Sequence, residues 1–231
     1  MDEIELERAR HFFGYGRWDA PFWFIGPEVG KGRDEPEDNT RRVDVWLQSR
    51  RGELCDCRQF HSLLGEEDWH QQRPRLQPTW RPLMLLLATF LSESSGKEDL
   101  RAYQRDRWGS QQGETCLIEL SGLAARSMRV NVERQRFREE RIDTIRKRIF
   151  ENRPVFVVMY GNEKKYWEQI AGGELTLDQP VKYGSVLFAF APHPAKRRRK
   201  NEDWIGLGRK LRSEAGYSKT SELGKAGKPF F

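Results

Sequence analysis

Cysteine is scarce here, with Cys55, Cys57 and Cys116 the only three among 231 residues. A C-x-C pair and one distant thiol make no complete disulfide framework. They supply neither the paired C-x-x-C of a zinc ribbon nor the four thiolates of an iron–sulfur cluster. Reduced thiols, no metal and no cofactor are the expectation. No stretch approaches the roughly 18 apolar residues of a membrane span, and no secretory apolar region opens the chain, so no membrane partner and a cytoplasmic location are expected. Linkers rich in proline, glycine or serine are missing, as is any internal repeat. One domain over residues 1–216, monomeric, with an aperiodic tail over 217–231, is the economical reading.

Charge is plentiful. Lys and Arg number 41 against 35 Asp and Glu, a net charge of +6, and the mean hydropathy is −0.83 with a pI near 9.3. Such a surface points to a polyanionic partner, because Lys and Arg that neutralise phosphates release counterions.

Apolar runs alternate with helical patterns along the chain. Strands are expected at Phe22–Ile25, Cys116–Leu120, Val155–Gly161 and Ser185–Ala191. Helices are expected near residues 2–13, 41–48 with Asn39 or Thr40 as cap, 79–91 capped by Thr79, 100–108, 133–151, 162–170 and 202–214. The segment 54–78, rich in Gln, His, Trp and Pro, has no clear period. Strands alternating with helices predict an α/β fold with a central four-stranded parallel sheet, covered on both faces in a three-layer α/β/α sandwich.

Two strand ends attract attention. The run FWFIGPEVG breaks at Gly26, Pro27 and Gly30 and carries one carboxylate, Glu28; VLFAFAPHP ends with His193 in the corresponding place. In open α/β sheets the ligand crevice lies outside the carboxyl ends of the strands, which is where both groups fall. A third strand end, CLIEL, presents Glu119 before Ser121-Gly122.

These motifs together resemble the uracil-DNA glycosylase superfamily. Gly26-Pro27-Glu28-Val29 stands in the position of its first motif, LIEL with Glu119 in that of the base-reading strand end, and His193-Pro194 in that of its last motif. The resemblance spans residues 22–211. Val29 replaces the usual proline, HPAK replaces HPSP, and Glu119 falls where uracil-excising members carry Asn. The resemblance implies that fold, DNA as partner, and a monofunctional DNA glycosylase that flips one base and hydrolyses its N-glycosidic bond to leave an abasic site.

The chemistry fits these residue types without a metal. An N-glycosidic bond breaks through an oxocarbenium-like sugar, so a carboxylate at Glu28 would activate water and offset positive charge. The departing base carries negative charge, and a donor at His193 would stabilise it by ~3 kcal/mol. An ionised Glu119 only accepts hydrogen bonds. It therefore matches the exocyclic amine of cytosine and opposes O4 of uracil. This favours a modified cytosine, such as the hypermodified base of phage DNA, and a role in anti-phage defence; uracil or damaged-base repair is the alternative. Gly26 and Pro27 would shape the base pocket. The competing reading of Glu119 is a buried partner for one of the many arginines.

The run Lys196-Arg197-Arg198-Arg199-Lys200 follows His193 directly and is placed to hold DNA phosphates, though such a run is also compatible with a solvated face. Phe60 and Trp80 are the stacking candidates, with core packing as the bland alternative. The arginines at 134, 136, 138, 141, 146 and 148 read as the outer face of a crossover helix. A non-catalytic nucleic-acid binder on the same fold, and a hydrolase of free nucleosides, are the functional alternatives.

Overall fold

The computed structural model describes residues 2–27, 37–123, 137–195 and 199–217. The strands are β1 Gly14–Gly16, β2 Phe22–Gly26, β3 Leu54–Cys55, β4 Thr115–Glu119, β5 Phe156–Tyr160, β6 Val181–Tyr183 and β7 Val186–Ala191. The helices are α1 Glu3–His11, α2 Glu37–Gln48, α3 Cys57–Leu64, α4 Trp80–Leu91, α5 Lys97–Asp106, α6 Arg138–Asn152, α7 Lys164–Ala171 and α8 Asn201–Ala215. The strands form one seven-stranded sheet in the order β3-β1-β4-β2-β5-β7-β6.

The four strands expected from sequence are neighbours, and all three pairings among them are parallel. The expected sheet is nonetheless too simple: it is mixed, because β1 runs antiparallel to β4 and β6 antiparallel to β7. The added strands are two or three residues long, too short for an alternating apolar pattern to mark them. In β1 the sequence is Gly-Tyr-Gly, which reads as a loop. Both glycines have positive φ, and a Cβ would stand 2.0 Å from the Leu117 carbonyl oxygen at Gly14 and 2.2 Å from that of Thr115 at Gly16. Close approach to β4 therefore requires glycine there.

Helices cover both faces. Phe22, Phe24, Leu117, Phe156, Val158, Leu187 and Ala189 point to one side, where they meet α2, α3, α4, α5 and α8. Trp23, Ile25, Cys116, Ile118, Val157, Met159 and Phe188 point to the other, against Ile142, Ile145 and Ile149 of α6 and Trp167 and Ile170 of α7. Burial on both sides is why β2, β5 and β7 are apolar almost throughout.

Local chemistry sets the helix ends. In α1, Asp2 Oδ1 accepts from the Glu5 amide at 2.7 Å and Glu5 Oε2 accepts from the Asp2 amide at 3.1 Å, a reciprocal capping box. At α4 the expected cap, Thr79, makes no side-chain capping bond. Gln77 Oε1 takes that place, accepting from the amides of Thr79 at 2.5 Å and Trp80 at 2.7 Å. Helix α2 begins at Glu37, ahead of the expected Asn39 or Thr40 cap. Part of the unassigned segment, Cys57–Leu64, is helix α3. Tyr217, the first residue of the expected tail, packs on Phe90 with ring centroids 4.7 Å apart, and the rest of that tail, 218–231, lies outside the described residues.

Candidate functional site

Side chains alternate along a strand, so the residues two beyond Phe24, Leu117, Val158 and Ala189 continue on the same face at the carboxyl edge. Those residues are Gly26, Glu119, Tyr160 and Ala191, with Gly26 in register with Glu119 and Tyr160 with Ala191. From β2 the chain leaves through α2 on one face, whereas from β5 it leaves through α7 on the other. Divergence of neighbouring connections opens a crevice at the strand ends of doubly wound sheets.

The loops beyond this edge are stitched together. The amides of Leu120 and Ser121 donate to the carbonyls of Gly26 and Pro27 at 2.9 and 3.1 Å, and that of Gly161 donates to the Ala191 carbonyl at 3.1 Å. Tyr160 lies across the end of β2: a Cβ on Gly26 would stand 2.4 Å from its Oη. Glycine at position 26 is what lets the phenol occupy that place. Burial pushes the Tyr160 phenol well above its ordinary pKa, and the nearby Glu119 carboxylate adds to the effect.

His193 sits edge-on to Tyr160, with ring centroids 5.6 Å apart and planes at 76°. Its Nδ1 accepts from the Ala195 amide at 3.2 Å. In the neutral ring the proton is then on Nε2. Glu119 is half-buried, its amide donating to the Phe13 carbonyl at 2.8 Å. Thus Gly26, Pro27, Glu119 and His193 share one edge, and Tyr160, which the sequence reading passed over, stands among them. Its only sequence signal is its place before Gly161 at a strand end, matching Glu119 before its own turn.

The other expectations divide. Glu28, Lys196, Arg197 and Arg198 lie outside the described residues. Phe60 is a correction: it is 1% exposed in the core, stacked on Phe12 at 5.5 Å and edge-on to Tyr15, so it offers no face to a base. Arg199 is a second. Its guanidinium grips Asp178 through two bonds of 2.6 and 2.7 Å, lies 4.3 Å over the Trp204 ring and is only 7% exposed, which removes it as a ready phosphate contact. Lys200 is exposed. The basic face expected of α6 is also broken. Arg138 and Arg141 are buried, and Arg148 pairs with Glu53 at 2.7 Å.

Arg141 ties α1 to the end of β4. Its Nε donates to the Leu120 carbonyl, Nη1 to those of Ala9 and Arg10, and Nη2 to those of Phe12 and Glu119, all between 2.7 and 3.0 Å. All five donors are satisfied by backbone. Burial lowers its pKa to about 9, opposed by Glu119.

Contrary to the expectation of no ligand cluster, the segment 54–78 brings three metal-ligating side chains together. Cys57 Sγ lies 3.5 Å from His61 Nδ1 and 4.0 Å from His70 Nε2, and the two nitrogens are 3.0 Å apart. All three residues are buried. The available sequence signal was C-x-x-x-H, a helical i, i+4 spacing, hidden by the aperiodic stretch that follows it.

Two surface clefts lie away from the carboxyl edge. One of about 320 Å³ is lined by residues of α4 and α5 and by Arg107, which pairs with Glu114 just before β4. The other, of about 370 Å³, is lined by Gly184, Ser185 and Val186 where β7 begins.

Among the described residues no helix is long and apolar enough to cross a membrane. Comparison with models of protein families finds no match, and no curated protein matches the chain.

Proposed function

We propose that this chain is a monofunctional DNA glycosylase on a three-layer fold of the uracil-DNA glycosylase kind. It draws one nucleotide out of the stack, holds the base at the carboxyl edge of the parallel strands and leaves an abasic site. The observation that carries this reading is the convergence of Gly26-Pro27, Glu119, Tyr160 and His193 at that edge.

In this reading Nε2–H of His193 donates to the carbonyl oxygen of the departing base as the C1′–N bond lengthens. The Ala195 amide on Nδ1 keeps the proton on the correct nitrogen. Glu28, next after Pro27, activates the water whose oxygen bonds to C1′; the proton released goes to the base. Glu119 accepts from an exocyclic amine, and the neutral phenol of Tyr160 beside it can donate or accept. That pairing suits a modified cytosine better than uracil.

The test is an excision assay on DNAs carrying uracil, hypoxanthine, cytosine, hydroxymethylcytosine and glucosylated hydroxymethylcytosine, with alkali revealing abasic sites. Cleavage at modified cytosine is expected, slowed ~10²–10³-fold in His193→Ala, as for loss of a preorganised donor. Cleavage at uracil alone would overturn the role given to Glu119. DNA binding without excision of any base would make the chain a binding module.

A further inference from the structure

We infer that Cys57, His61 and His70 form a binding site for one Zn²⁺, an assignment that does not depend on the proposed activity.

The geometry is set by local structure. Asp56 caps α3, its Oδ1 accepting from the Gln59 amide at 3.0 Å, so Cys57 opens the helix and His61 follows one turn later on the same face. Gly65 ends α3 in the left-handed conformation, and the short 3-10 turn Glu67–Trp69 returns the chain so that His70 meets the other two. Zn–S of about 2.3 Å and Zn–N of about 2.0–2.1 Å in a tetrahedron require S···N near ~3.6 Å and N···N near ~3.3 Å. The two S···N separations, 3.5 and 4.0 Å, bracket the first value, and the N···N separation, 3.0 Å, is shorter than the second by about 0.3 Å.

Proton placement argues the same way. The far nitrogen of His61, Nε2, lies 3.8 Å from Glu66 Oε2. On His70, Nδ1 is buried with no hydrogen-bond partner. With protons on these outer nitrogens, both inner nitrogens present lone pairs to each other at 3.0 Å, beside a sulfur. A proton at His61 Nδ1 would instead turn the Nε2 lone pair toward the Glu66 carboxylate. A cation between the inner atoms removes both conflicts. A carboxylate behind a ligating imidazole is also a common means of fixing the tautomer that binds metal.

The donor set selects the ion. One thiolate and two imidazoles suit zinc and exclude the hard cations Mg²⁺ and Ca²⁺, which take oxygen ligands. Three protein donors and one oxygen from solvent complete the shell. The ion would join α3 to the chain before α4, against Trp80, whose ring lies 5.5 Å from His61 and 6.0 Å from His70. Tyr15, 5.6 Å from the His61 ring, carries the constraint toward β1.

The test is metal content of the full chain, purified from zinc-supplied cells and dialysed against metal-free buffer, followed by Co²⁺ substitution. One zinc per chain is expected. Co²⁺ should give the visible bands of a four-coordinate ion and a thiolate-to-cobalt charge-transfer band, which Cys57→Ser removes and Cys116→Ser keeps. X-ray absorption on the zinc protein should find one sulfur and two imidazole nitrogens. Substoichiometric zinc together with no cobalt spectrum in the wild-type chain, a measurement that depends on no variant, would overturn the proposal. So would a charge-transfer band that survives Cys57→Ser.

Discussion

Replacing Arg141 with methionine tests how the carboxyl edge is held. The substitution keeps much of the volume but removes five donors, each engaged by a main-chain carbonyl of Ala9, Arg10, Phe12, Glu119 or Leu120. Hydrogen bonds from a charged donor contribute ~1.5–3 kcal/mol each, so a simple sum would exceed ~7 kcal/mol. That sum is too large, because burying the guanidinium costs several kcal/mol and the variant recovers this cost. Its pKa, lowered to about 9 chiefly by burial, is a sign of that penalty. Unlike a partner side chain, however, the five carbonyls cannot be replaced, and those that water does not reach stay unsatisfied at ~1–3 kcal/mol each. The expected net loss is about 3–5 kcal/mol of a total stability of ~5–15 kcal/mol. For a chain of this length that is a fall in Tm of about 6–20 °C. Arg141→Lys retains charge with three donors and should fall between the two. Urea unfolding followed by fluorescence and circular dichroism measures both. If both variants stay within ~1 kcal/mol of the parent, Arg141 does not tie α1 to the end of β4.

Three further outcomes are expected. Gly26→Ala sets a methyl group against the Tyr160 phenol, costing ~1–3 kcal/mol by overpacking, and calorimetry with Gly26→Ala/Tyr160→Phe should recover part of that loss, since the atom in closest conflict is Oη. Phe60→Ala should cost ~3–5 kcal/mol in denaturant unfolding while any base preference is unchanged, as expected of a core ring; a switched preference with intact stability would return Phe60 to the pocket. Asp178→Ala leaves the nearly buried Arg199 charge without its carboxylate and should destabilise the chain by ~2–4 kcal/mol, whereas Arg199→Ala should leave the salt dependence of DNA binding nearly unchanged. A salt slope lowered by about one in Arg199→Ala would mean that DNA draws this arginine away from Asp178.

What the sequence determined by itself is the frame. Strands buried on both faces must be apolar along their length, so β2, β4, β5 and β7 stood out, and glycine or proline after them marked their carboxyl ends with Glu119 and His193 in place. The tertiary structure decided what local pattern does not encode. β1 is a strand only because two glycines let it press against β4. Tyr160 belongs to the edge because a side chain missing at Gly26 makes room for it from the neighbouring strand. Arg141 read as the outer face of a helix and Arg199 as a DNA phosphate contact, since a sequence lists their cations but not the five carbonyls or the Asp178 carboxylate that receive them. Cys57 and His61 share a helical turn that could be read from their spacing. His70 joins them only through the fold of an aperiodic stretch, because ligand geometry is a matter of distance in space and not of order along the chain.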